Sequence, residues 1–353
     1  MARPAEAIVP PPPDIPGGNF ELEFSEAPYL VSVIIDYGTA FGQCSGSLLD
    51  TNVVVTAAHC FVTDGANFPG QIDPAILDVF VLVGPEVALD HPEPEVVYAR
   101  YGNNNGLRKG IKIHGNYVGD NFKLDRDIAV IILEEDTVTG DTIGWSTAEF
   151  DVPAGTYEDV FAEGFGCETS DCDTVDADAD YMDGRAMPDK EYKRPFYREF
   201  FSEDPTVDRF EVEHSNRRHI PVVFNDPALP PAPAFEGVAP GDSGGPLISG
   251  GVVVGVLSFA TTVPTATDDV DLRAATFMDI GRIGSGHVSG DNWVTRKVLK
   301  FGTLANTPTA TNLSSFDAEA RYNPEDVNPN RDRGQAMTKA RAAVPVPLRT
   351  AGN

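Results

Sequence analysis

The sequence predicts an all-β protein, and three observations predict it. Its apolar segments are short and rich in β-branched residues, turn-forming residues bound them, and Gly (33) and Pro (29) are abundant in a chain of 353 residues. A first set of such segments runs through residues 29–35 (YLVSVII), 46–58 (GSLLDTNVVVTAA), 79–83 (VFVLV) and 128–133 (IAVIIL), with turns such as Asn105-Gly106 between them. A second set, around 160–164, 222–224, 246–248, 252–259 and 274–280, implies a second β unit. The pattern suits closed or sandwiched antiparallel sheets. Residues 293–299 (WVTRKVL) have helical spacing instead, with Trp293, Val294, Val298 and Leu299 toward a core, and would close the folded part.

The remaining stretches set boundaries. Residues 1–14, with the run Pro10 to Pro13, form a Pro-rich lead-in that cannot pack a core. After about residue 303 the chain has few large apolar side chains, and 303–353 is expected to be a disordered tail. An acidic insertion at about 168–214 carries Asp173, Asp176, Asp178, Asp180 and Asp183. Tyr181 stands where a helix-loop-helix calcium site requires Gly, so the expectation is a solvated acidic loop with no metal.

A net charge of −28 repels nucleic acid and anionic lipid, which removes those partners from consideration. No apolar run approaches the roughly 20 residues that cross a bilayer as a helix. With 41% hydrophobic residues the chain can bury a core by itself, and a monomer is expected. Four cysteines, Cys44, Cys60, Cys167 and Cys172, lack the spacing of a zinc site. Two disulfides are the simpler reading and imply an oxidising, extracellular compartment. The start Met1-Ala-Arg-Pro has no apolar signal core, so secretion is inferred from the cysteines alone.

The chemistry concentrates in Gly241-Asp242-Ser243-Gly244-Gly245-Pro246-Leu247. A nucleophilic serine needs an exposed hydroxyl on a tight turn whose neighbours let backbone approach a substrate, and flanking glycines give that freedom. The N–H groups of Gly241 and Ser243 can then converge on one point and stabilise an oxyanion. A serine also needs a base. Of the six histidines, only His59 ends a buried-looking strand beside a cysteine, in Thr56-Ala57-Ala58-His59-Cys60, whereas His91, His114, His214, His219 and His287 lie in polar or turn-rich stretches. Asp127, directly before the apolar run Ile128-Ala129-Val130, can orient that imidazole and is preferred over Asp125 because it abuts the strand.

In the order His, Asp, Ser, the segments Cys44-Ser45-Gly46-Ser47-Leu48 with TAAHC, then DIAV, then GDSGGPL resemble the trypsin and chymotrypsin family of serine peptidases, over about residues 15–300. Weaker echoes stand in register at Pro28-Tyr29-Leu30-Val31-Ser32 and Gly164-Phe165-Gly166. The resemblance implies two six-stranded antiparallel β-barrels with a C-terminal helix. An N-terminal barrel (15–140) would carry His59 and Asp127, and a C-terminal barrel (141–302) would carry Ser243. It implies a serine-type endopeptidase that works without a cofactor, takes polypeptide substrates and meets protein inhibitors. It further implies disulfides Cys44–Cys60 and Cys167–Cys172, while the cysteine usual shortly before GDSGGP is Ala239 here. By position the pocket floor falls on Gly237 and its walls on Ser258, Phe259, Ala260 and Ala275. None is charged, which points to cleavage after small or medium apolar residues. Ile15-Pro16-Gly17-Gly18 stands at the family's activation site, so cleavage after Asp14 would free the Ile15 amino group to pair with Asp242. A catalytically silent homologue on the same scaffold is the alternative. An α/β-hydrolase esterase is excluded, since it orders its triad Ser, acid, His.

Overall fold

The computed structural model describes residues 19–22, 27–62, 72–84, 95–100, 110–115, 117, 126–152, 158–166, 179–186, 219–224, 238–264, 271–281 and 293–303. Asn19–Leu22 (β1) comes first. Seven strands follow: Leu30–Asp36 (β2), Phe41–Asp50 (β3), Val53–Thr56 (β4), Asp78–Val83 (β5), Glu95–Tyr98 (β6), Ile111–Ile113 (β7) and Ala129–Ile132 (β8). They form one antiparallel sheet in the order β6-β5-β2-β3-β4-β8-β7. Its ends curl together, because Ala99 bridges Leu133 and the Arg100 N–H donates to Ile132 at 2.8 Å.

The second sheet comprises Glu158–Gly164 (β9), Ala179–Ala186 (β10), His219–Val223 (β11), Pro246–Ser249 (β12), Val252–Pro264 (β13) and Asp271–Asp279 (β14). Its order is β1-β10-β11-β14-β13-β12-β9, and β9 also pairs with β10, so six strands close on themselves and β1 adds to the outside. The expected pair of antiparallel barrels is therefore present. One helix among the described residues, Trp293–Phe301 (α1), packs across β4 and β8.

Two expectations change in detail. Within the stretch read as a solvated acidic loop, residues 179–186 form a strand paired with β9 along its length. Met182, Gly184 and Ala186 are buried at alternate positions, so an inner face of one long apolar side chain and two small residues fits the barrel interior despite the flanking acids. In α1, Thr295 is buried with Trp293, Val294 and Val298, whereas Leu299 is only half-buried. The Thr295 hydroxyl accepts the buried Trp145 indole N–H at 3.0 Å, which accounts for a polar residue on the inner face.

Burial explains why these segments are strands. Ile128 to Leu133 are all at most 1% exposed: one face fills the first barrel and the other meets α1, so the run is apolar throughout instead of alternating. Each Ile, Val or Leu side chain of the run contributes roughly 1.5–3 kcal/mol on burial. The main core is continuous between the barrels, joining Leu48, Val54 and Phe61 to Phe165, Val253 and Met278, while Val160, Val222, Leu247 and Phe277 fill the second barrel.

Candidate active site

His59 follows β4 through Ala57 and Ala58 and opens a single 3-10 turn, His59–Phe61, that lifts its ring off the barrel wall. The Cys44–Cys60 disulfide ties this turn to β3, as the sequence reading expected. Asp127 arrives from the other side, just before β8. Its neighbour Arg126 has φ 64°, a left-handed conformation that costs a non-glycine residue about 1 kcal/mol and turns the chain sharply enough for the Ile128 N–H to donate to the Arg126 carbonyl at 2.8 Å.

The Asp127 carboxylate is fully buried and takes three donors. Its Oδ1 accepts the His59 backbone N–H at 2.8 Å, its Oδ2 lies 2.7 Å from His59 Nδ1, and the same Oδ2 accepts the Ser258 hydroxyl at 2.6 Å. The carboxylate thus fixes both the backbone and the ring of His59. Nδ1 faces the carboxylate, which turns Nε2 to the opposite edge of the ring, and the side chain is 27% exposed.

Ser258, read from sequence as a pocket wall, is also the third donor to Asp127. The register of β13 against β14 slips between Leu257 and Phe259, so Ser258 is the bulged residue and its side chain is re-aimed across the seam. Beyond the bulge, Ala260 stands directly opposite Ala275 on β14, which brings two expected wall residues together by register. Gly237, Ile15, Cys167 and Cys172 lie outside the described residues.

The loop 239–245 that carries Ser243 is cross-braced. The Asp242 N–H donates to Ala239 O at 3.1 Å, the Ala239 N–H returns to Asp242 Oδ2 at 2.7 Å, and the Gly245 N–H donates to Asp242 O at 2.8 Å. Two strand-like bonds, Gly244 N to Leu257 O and Leu257 N to Gly245 O, both 2.9 Å, fasten it to β13. Asp242 is buried, its carboxylate lying against the Cα atoms of Gly164 and Gly166 where a Cβ on either glycine would collide with it. Gly241 (φ 107°) and Gly244 (φ 87°) adopt backbone conformations that favour glycine. The Cys60 sulfur lies 3.9 Å from the Ser243 carbonyl oxygen, and a His59 ring nitrogen lies within 4.8 Å of both disulfide sulfurs, so Ser243 and His59 flank the same disulfide. Since both sulfurs are committed to that bond, Cys44, His59 and Cys60 offer no thiolates to a metal.

Two antiparallel barrels with a buried aspartate holding a partly exposed histidine, and a glycine-rich serine loop at their seam, define a serine-protease scaffold. The family model described as Trypsin matches residues 17–194, and the chain belongs to that family. His59 and Asp127 fall inside the matched stretch, and Ser243 beyond it. Among solved structures, the inactivated protease paralogue S-D1 of the scabies mite is similar, with a TM-score of 0.52 and 19% identity over 76% of this chain and 93% of that one. That likeness shows the fold. The comparison with curated proteins finds no match.

Proposed function

We propose that the protein is a secreted serine endopeptidase that cleaves polypeptides through an acyl-enzyme, with Ser243 as nucleophile, His59 as general base and acid, and Asp127 as the group that orients the imidazole. The observation that carries this reading is the buried Asp127 carboxylate holding His59 by both its backbone N–H and Nδ1 while Ser258 takes up Oδ2. That arrangement presents Nε2 to an incoming hydroxyl. Ser243 attacks the scissile carbonyl as Nε2 takes its proton, the carbonyl oxygen turns to the N–H groups of Gly241 and Ser243, and Nε2 returns the proton to the leaving amine. Each oxyanion donor is worth roughly a hundredfold to a thousandfold in rate. Water then repeats the sequence on the ester.

The uncharged residues at the pocket positions, with Ala260 opposite Ala275, support a preference for small or medium apolar side chains on the acyl side of the cut. Buried Asp242 against Gly164 and Gly166 supports activation by the amino group of Ile15. The Cys44–Cys60 bridge supports an oxidising compartment.

Labelling with a fluorophosphonate tests the reading, on the full chain and on protein trimmed to begin at Ile15, with Ser243→Ala as control. Labelling of the trimmed protein only is the expected result. Labelling of both keeps the nucleophile and discards activation at Ile15. If neither reacts, the chain is a silent homologue on the same scaffold.

A further inference from the structure

The loop bearing Ser243 belongs to the second barrel, yet it is also anchored from the first. Ser45, on β3, is fully buried and makes four hydrogen bonds to separate parts of the site. Its N–H donates to the Ser243 carbonyl at 2.8 Å, its hydroxyl donates to the Gly241 carbonyl at 2.9 Å, and the same oxygen accepts the Phe165 N–H at 2.8 Å. Its own carbonyl accepts the Thr56 hydroxyl at 2.7 Å, three residues before His59. The carbonyls of both residues whose N–H groups would bind the oxyanion, Gly241 and Ser243, therefore end on one side chain and one amide of Ser45. Among the described residues neither of those two N–H groups meets a protein acceptor.

We propose that Ser45 is a positioning residue for the oxyanion hole, holding the Gly241 and Ser243 carbonyls from the opposite barrel and so fixing the backbone on the C-terminal side of each residue, which aims their N–H groups into the cleft. This rests on the serine-peptidase reading above for its catalytic consequence. The loop needs such an anchor because Ala239 stands where a cysteine would tether its start covalently, and because Gly241 and Gly244 give it more backbone freedom than side-chain-bearing residues would. The hydroxyl works as a relay. Phe165 N–H fixes the Ser45 oxygen, which aligns its proton on Gly241 O. Since Phe165 follows Gly164 on the wall beneath Asp242, the relay also joins the hole to the surface on which Asp242 packs.

Ser45→Ala removes the relay while keeping the bond from its N–H to Ser243 O, and Ser45→Gly does the same with room for a water in place of the hydroxyl. Two measurements read each variant: kcat and KM on a peptide substrate, and amide hydrogen exchange of peptides covering residues 239–245, which needs no activity. The expected result for Ser45→Ala is a kcat lower by about tenfold or more, since one to two oriented hydrogen bonds are lost, with KM within about twofold, and faster exchange confined to that loop. Ser45→Gly should fall between it and the parent, and it carries the reading if the alanine variant does not fold. An unchanged kcat, whether or not exchange quickens, overturns the positioning role, as does a fall in kcat matched by a rise in KM with no change in exchange. If the parent protein turns over no peptide, the peptidase reading is what fails, and exchange alone then decides whether Ser45 pins the loop.

Discussion

At the scale of single residues, the candidate site is a set of groups whose freedom has been removed one bond at a time. Asp127 has no rotamer choice left once His59 and Ser258 are bonded to it. Gly244 is among the tightest positions: at φ 87° a Cβ would strike the Thr56 hydroxyl and the Ser45 carbonyl, and would lie 2.8 Å from the Ala57 N–H. Gly244→Ala is therefore expected to combine backbone strain with overpacking, about 2–5 kcal/mol together, and to push Ser243 away from His59. A lowered urea midpoint together with loss of fluorophosphonate labelling checks it; full labelling at parental rate would contradict the tight packing described. The candidate residues His59, Asp127 and Ser243 are legible in sequence because each sits in a short segment of distinctive residue types. The contacts of Ser45 and Ser258 are not. Ser258 lies in an apolar strand where strict alternation says nothing of a bulge, and of the partners of Ser45, Gly241 lies 196 positions along the chain and Ser243 farther still.

At the scale of elements, the strands that sequence reading found are the ones with dense β-branched runs, and those it passed over have too few apolar residues to show. β6 and β7 are four and three residues long. β10 is acidic to the eye, and the positions it buries include Gly184, where a Cβ would lie 2.5 Å from a Val222 methyl. A residue selected for absence of a side chain leaves no hydrophobic signal. The disulfide between β3 and the His59 turn acts at this scale. It closes a loop spanning 16 residues, and in the chain-entropy picture its removal costs roughly 3 kcal/mol. Because Asp127 holds the His59 backbone N–H independently, the variant with both Cys44→Ala and Cys60→Ala should lose that stability in denaturant titrations. Once folded, it should keep peptidase activity within about tenfold of the parent. Complete loss of activity in the folded variant would mean that the disulfide, and not Asp127, sets the position of His59.

At the scale of the whole molecule, the sequence showed two β units but not how they are joined, because the joining contacts pair residues far apart. Trp145 bridges Val253, the Gln43 side chain donates to Phe165 O at 3.2 Å, and the Tyr29 hydroxyl, beside β2, donates to Glu163 Oε1 on β9 at 2.9 Å. The last contact puts a carboxyl into the seam with almost no exposure, and Glu163 Oε2 meets no partner among the described residues. Burial, opposed by the weaker hydrogen bond from Tyr29, pushes the Glu163 carboxyl up to about 8 from the ordinary 4.5, and burial likewise drives the Tyr29 hydroxyl far above its usual range. The sign of the effect on stability follows. Between those two values the folded chain holds a proton that the unfolded chain has released, so unfolding sheds a proton and stability falls as pH rises from 4.5 to about 8, with no further change from this group above that. Each unit of difference is worth about 1.4 kcal/mol. Glu163→Gln keeps an oxygen for Tyr29 and removes the titration. Its stability relative to the parent should therefore grow across that window and level off beyond it. The comparison also cancels the growing repulsion among the many acidic groups, which both proteins share. Urea midpoints at intervals from pH 4.5 to 9 read the difference, and parallel curves for the two proteins would mean that Glu163 is already ionised within the seam.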